Sequence, residues 1–165
     1  MRVAPAIPLE RMLASRAKVL CSAIWVSGRD REEALANSVF HATPEELQRL
    51  VNVRVDARRR SVTMTVELDP TAVPRLVVAY RRMHPTFPAD WDQEERRLLA
   101  LGSVSRTARY VGDQGGVILP SDGSGLKFRP VPVRSALPEA DGQDWPMGDR
   151  LPGAPQGFED AADAA

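Results

Sequence analysis

The polar and apolar positions fall into three kinds of segment. From Leu9 to about Ser27, Leu13, Ala17, Leu20 and Ile24 recur at spacings of three and four, which predicts an amphipathic helix ended by Gly28. Asp30 with Glu33 has the form of a capping box and opens a short helix to Asn37; Thr43-Pro44-Glu45-Glu46 repeats the device with Pro at the first helical position. The pattern then changes period. Val51, Val53 and Val55 alternate with polar residues, as do Val62, Met64, Val66 and Leu68, on either side of Asp56-Ala57-Arg58-Arg59-Arg60. That is the signature of a β-hairpin with one buried face. Asp69-Pro70 stops the second strand, and a helix carrying Leu76–Ala79 runs to Met83 with Pro74 near its first turn. After the loop from His84 to Pro88, Asp90 caps a charged helix, WDQEERRLLAL, that ends at Gly102. Strands follow at 106–112, 115–119 and 125–129, joined by glycine turns.

These elements make an α+β fold, with N-terminal helices packed on an antiparallel sheet of hairpins. The expected organisation is a flexible N-terminus at 1–8, one α+β domain at 9–149 and a linker or disordered tail rich in Pro and Ala at 150–165.

Composition narrows the function only a little. The 165 residues, 43% hydrophobic and 27% charged, suit one domain with a real core. Twenty-two basic and twenty-two acidic residues cancel, so no overall field draws the chain to nucleic acid or to an anionic membrane. Cys21 is the sole cysteine, which leaves no internal disulfide and no cysteine zinc cluster. Pro5 and Pro8 interrupt the first residues before an apolar core can form, and the apolar run from Val19 to Val26 is too short to span a bilayer. A cytoplasmic location is expected, with no membrane partner.

Ser15-Arg16-Ala17-Lys18 matches the S-x-x-K pattern of serine acyl-transferring enzymes. On a helix the two side chains share a face, where an amine can help deprotonate a hydroxyl. Such chemistry also needs a Tyr-x-Asn or Ser-x-Asn relay and a Lys-Thr-Gly or His-x-Gly strand. Neither is present: Tyr80 precedes Arg81-Arg82, Tyr110 precedes Val111-Gly112, and neither Lys127, His41 nor His84 begins the third motif. Ser15 and Lys18 therefore read as helix-surface residues. Asp113-Gln114-Gly115-Gly116 lacks a P-loop ending and reads as a tight turn; Arg58–Arg60 read as a solvated tip without an aromatic stacking platform. Glu94-Glu95 with Arg96-Arg97 read as a salt-bridged surface. His41 and His84 lack ligand partners at metal spacing, so neither a metal nor another cofactor is expected, and no catalytic residue is assigned.

The run AKVLCSAIWVSGRDREEALAN, residues 17 to 37, resembles the N-terminal segment of bacterial serine hydrolases of the β-lactamase superfamily, the class C-like group of esterases and nylon-oligomer hydrolases. TARYVGDQGGVILP, 107 to 120, and DWPMGD, 144 to 149, are similar to segments between that start and the catalytic domain. The resemblance implies that the catalytic S-x-x-K lies beyond this region, so Ser15 and Lys18 do not match the family's nucleophile and base. It further implies a cysteine after the glycine of the GDQG segment, able to partner the one in KVLCS; Gly116 stands there instead, leaving Cys21 unpaired.

The expected function is thus the non-catalytic N-terminal region of a serine hydrolase acting on esters, amides or lactams, with a catalytic domain of the same or an adjacent polypeptide as partner. Two alternatives stay open: a free-standing protein-interaction or ligand-binding module, and, last, a small hydrolase that uses Ser15.

Overall fold

A computed structural model describes residues 6–41 and 43–133. The expected domain end at 149 and the tail at 150–165 lie outside the described residues, as do the first five residues of the expected flexible N-terminus.

The fold is α+β. Helix α1, Leu9–Trp25, turns Leu9, Leu13, Ala17, Leu20 and Cys21 into the core, as the spacing of its apolar residues requires. Asp30 caps α2, Arg31–Ala34, accepting the N–H groups of Glu32 at 2.9 Å and Glu33 at 3.0 Å. Only half of the expected capping box forms, because the Glu33 carboxylate turns to Arg29 and Asn37 instead of back to Asp30. The helical run then passes Asn37 and continues as a π turn over Leu35–Val39, which carries Val39 into the core.

Helix α3, Glu45–Gln48, begins after Pro44 with no side-chain cap. Thr43 does not serve as one: its hydroxyl accepts a hydrogen bond from Arg16 at 2.7 Å and its carbonyl one from the Gln48 amide at 2.8 Å. Strands β1, Val51–Asp56, and β2, Ser61–Glu67, form the expected hairpin with unbroken antiparallel register from Val51↔Val66 to Asp56↔Ser61.

Asp69 holds the start of α4, Ala72–Met83, by accepting from the N–H groups of Thr71 and Ala72 at 2.7 Å each. Pro74 costs this helix nothing, since its position falls among the first N–H groups, which lack intrahelical acceptors. Helix α5, Trp91–Leu101, is capped by Asp90 at the Gln93 N–H, 2.9 Å, and ends at Gly102 with φ +68°. Strand β3, Ser103–Tyr110, starts directly after it and pairs with β2; β4, Gly116–Ile118, pairs with β3. The sheet runs in chain order, β1-β2-β3-β4, with α4 and α5 inserted between β2 and β3.

The strand expected at 125–129 does not form. Pro120 has no N–H to extend the β3–β4 ladder, and Gly123 and Gly125 adopt φ values of +73° and +76°. Asp122 closes this turn by accepting from the Ser124 N–H at 2.9 Å, with Lys127 3.8 Å from its other oxygen.

The sheet has two unlike faces. Val62, Met64, Val66, Val104 and Ala108 are buried on the inner one, where α1 packs against β2, β3 and β4. The outer face carries hydroxyls in register: Thr63 bonds Thr107 and Thr65 bonds Ser105, both at 2.9 Å.

Candidate functional site

Ser15, Lys18 and Val19 are exposed on α1, and Ser22 beside them is half-buried against β4. They line an open groove of about 430 Å³ that Ser27, Arg29 and Ser38 complete. The groove has serine hydroxyls and two cationic side chains, so its charge balance decides what it could bind or activate. Arg29 is already engaged: its Nε donates to Glu33 at 2.8 Å, a second nitrogen donates to the same carboxylate, and a third donates to Ser38 Oγ at 2.7 Å. The hydrogen bond from Arg29, with help from Asn37, holds the Glu33 carboxyl down at about 2. The same pairing raises Arg29 above its ordinary value. Lys18, the other cation of the groove, has no ion-pair partner among the described residues.

No hydrogen bond joins Ser15 to Lys18 among the described residues, and Ser15 sits in the middle of α1. Backbone N–H groups in a helix interior are committed to the carbonyls four residues back, so none is free to stabilise an oxyanion there. Neither tyrosine lines this groove. Tyr80 is buried in α4, its ring 4.5 Å from that of His84 and 6.4 Å from that of Trp91; Tyr110 lies under the Arg60 guanidinium at 5.6 Å. Ser15 and Lys18 are thus exposed polar residues on one face of α1.

The seam between α1 and β4 gives the Gly116 position its physical reason. A Cβ there would stand 2.6 Å from Ser22 Oγ, 3.2 Å from the Lys18 carbonyl oxygen and 3.4 Å from the Ser22 nitrogen. Only glycine lets the strand approach the helix this closely. Cys21, one residue before Ser22, is wholly buried and free, and burial pushes its thiol up to about 11, which keeps it protonated and unreactive.

The remaining candidates scatter over the molecule. His41 is exposed in a loop, and His84 ends α4 against Tyr80. No group of three His, Cys, Asp or Glu side chains is arranged to hold a metal among the described residues. Arg58–Arg60 form the exposed hairpin tip, where Arg60 adopts φ +48°. Gly112–Gln114 is a tight 3₁₀ turn flanked by Gly112 at φ +51° and Gly115 at φ +64°, and it leads into a strand, so it makes no phosphate-binding helix start.

Glu94 corrects the reading of α5 as a plain salt-bridged surface. It is 5% exposed, and its carboxylate accepts from the backbone N–H of Ile7 at 3.0 Å and of Ala6 at 3.4 Å, and from Arg97 at 2.6 and 2.9 Å. Burial by itself would raise the carboxyl; the hydrogen bonds from Arg97 and Ile7 outweigh it and hold the group below its ordinary value. The sequence carried a signal for this, because Glu94 lies three residues after Trp91 and four before Leu98, on the apolar stripe. Arg106 is a second inward polar residue, between Val104 and Ala108 on β3. It donates to the Leu119 carbonyl at 3.3 Å and lies 3.8 Å from Glu10, while its buried Nε has no partner among the described residues.

Compared with known protein families, characterised proteins and solved structures, the chain matches none. Among the described residues no helix is long and apolar enough to cross a membrane.

Proposed function

We propose that this chain is the non-catalytic N-terminal α+β layer of a β-lactamase-like serine hydrolase, whose S-x-x-K catalytic domain lies on the same or an adjacent polypeptide. The chain supplies packing or a wall of the substrate cleft, and the partner domain supplies the nucleophile for ester, amide or lactam hydrolysis. One observation carries the reading: the S-x-x-K of Ser15–Lys18 lies mid-helix and exposed, no relay or oxyanion donor is placed beside it among the described residues, and it overlaps the start of a run that resembles the beginning of such hydrolases. The buried, free Cys21 is compatible with a packing role.

A second reading, a free-standing interaction module, is favoured by the outer edge of β1, which pairs with no strand among the described residues. The two separate in one experiment. The DNA downstream of the Ala165 codon is read for a frame encoding a new S-x-x-K followed by Tyr-x-Asn and a His-x-Gly or Lys-Thr-Gly strand. The two parts are then expressed together and apart and assayed on p-nitrophenyl esters and a chromogenic lactam. Turnover that requires both parts supports the hydrolase reading. Absence of such a frame, or equal turnover without this chain, overturns it.

A further inference from the structure

Strand β1 is an edge that lacks a bulge, a proline and an inward charge, and carries only the outward charges of Arg54 and Asp56. Natural edge strands are shortened, bulged, or broken by proline or inward charge, because their unpaired N–H and C=O groups otherwise recruit another strand. Six residues of β1 pair with β2 in unbroken register, with no bulge and no proline, and no strand lies on the other side among the described residues. Its inner-face residues are Val51, Val53 and Val55, each only half-buried at the margin of the core, whereas their β2 partners Val66, Met64 and Val62 are buried. One more strand would complete the cover of this valine row.

Charge selects what that strand is. On the outer face β1 presents Asn52, Arg54 and Asp56. Asp56 is turned toward the hairpin tip, accepting from the Arg59 N–H at 2.9 Å with the Arg59 guanidinium at 4.0 Å. Arg54 is exposed, faces Thr63 across the ladder and has no ion-pair partner among the described residues. A second copy of this chain fits poorly. Laid antiparallel along β1, it offers Arg54 only Asn52, Arg54 and Asp56 on the outer face, and Asp56 is already engaged by Arg59.

We propose that β1 is the docking edge for an extended segment of another polypeptide in which apolar and acidic residues alternate. The apolar side chains extend the valine row, the acidic ones pair with Arg54 on the outer face, and main-chain hydrogen bonds continue the sheet. The edge can be tested with no catalytic polypeptide present, so its failure is distinct from failure of the hydrolase reading.

The test titrates the full chain into three fluorescein-labelled ten-residue peptides: alternating Val and Glu, alternating Val and Lys, and the Val/Glu peptide N-methylated at every second residue. Anisotropy should show the Val/Glu peptide binding about tenfold or more tighter than Val/Lys, with the N-methylated form losing saturation. Arg54→Glu, at an exposed position, should invert the preference. Equal binding of the two charged peptides, undiminished binding after N-methylation, or no binding of any peptide overturns the proposal. So does a dimer of the free chain that Arg54→Glu abolishes, since that assigns the edge to a second copy.

Discussion

The Glu94 carboxylate, buried in α5, accepts the backbone N–H of Ile7 at 3.0 Å across 87 positions of sequence. Through this one group the segment leading into α1 is tied to the helix that leads into β3. Arg97 neutralises the carboxylate from one side and also reaches the Ile7 carbonyl at 3.4 Å.

Removing that carboxylate leaves Arg97 and the Ile7 N–H without their shared acceptor. Glu94→Ala is expected to cost about 3 kcal/mol, in the range found when one partner of a buried ion pair is lost. Glu94→Gln, which keeps an acceptor oxygen, should cost about 1 to 2 kcal/mol. Urea unfolding monitored by tryptophan fluorescence measures both; equal, negligible losses would contradict the clamp.

The pH dependence has a definite sign. The folded-state carboxyl of Glu94 is held below its ordinary value, so its contribution is present above the unfolded-state value, about 4.3, and is lost as pH falls below it toward the folded-state value. The wild-type chain should therefore lose more stability than Glu94→Gln when the pH is lowered from 6 to 3. Parallel curves for the two proteins would exclude Glu94 as the cause.

At the α1–β4 seam, Gly116→Ala places a methyl 2.6 Å from Ser22 Oγ and should cost about 2 kcal/mol, as expected for overpacking. Ser22→Ala removes the nearest obstructing atom. In that background the cost of Gly116→Ala should fall by about half or more, since the Lys18 carbonyl at 3.2 Å remains. A double-mutant cycle that is strictly additive would contradict the contact.

Asp90→Ala removes the acceptor for the Gln93 N–H at the start of α5 and should lower stability by about 1 kcal/mol. Amide exchange should quicken first in residues 91–94, and an unchanged exchange rate there would show that the cap does not hold this turn.

Most of the fold could be read from local pattern, and the exceptions have physical causes. The hairpin of β1 and β2 follows from two runs of period-two valines around a polar turn, and the limits of α5 at Asp90 and Gly102 follow from capping chemistry, whereas α1 ends at Trp25, before the expected stop at Gly28. The strand expected at 125–129 failed because Pro120 ends the ladder and the glycine turn after it closes on Asp122, a choice between turn and strand that alternation alone does not decide. Thr43 was a plausible cap until Arg16, distant in sequence, claimed its hydroxyl. The site was less legible than the fold. The S-x-x-K spacing correctly places Ser15 and Lys18 on one helix face, but only tertiary context reveals that they line an open groove with Ser27, Arg29 and Ser38. The inward positions of Glu94 and Arg106 follow from periods of 3.6 and 2 that charge content had obscured.

The most direct measurement is intact-mass analysis after fluorophosphonate treatment, on the chain alone and on the chain co-expressed with the S-x-x-K polypeptide that the proposed function requires. The account predicts no adduct on this chain in either sample and a single stoichiometric adduct on the partner. A stoichiometric adduct on Ser15 of the isolated chain, lost in Ser15→Ala together with ester turnover, would contradict it.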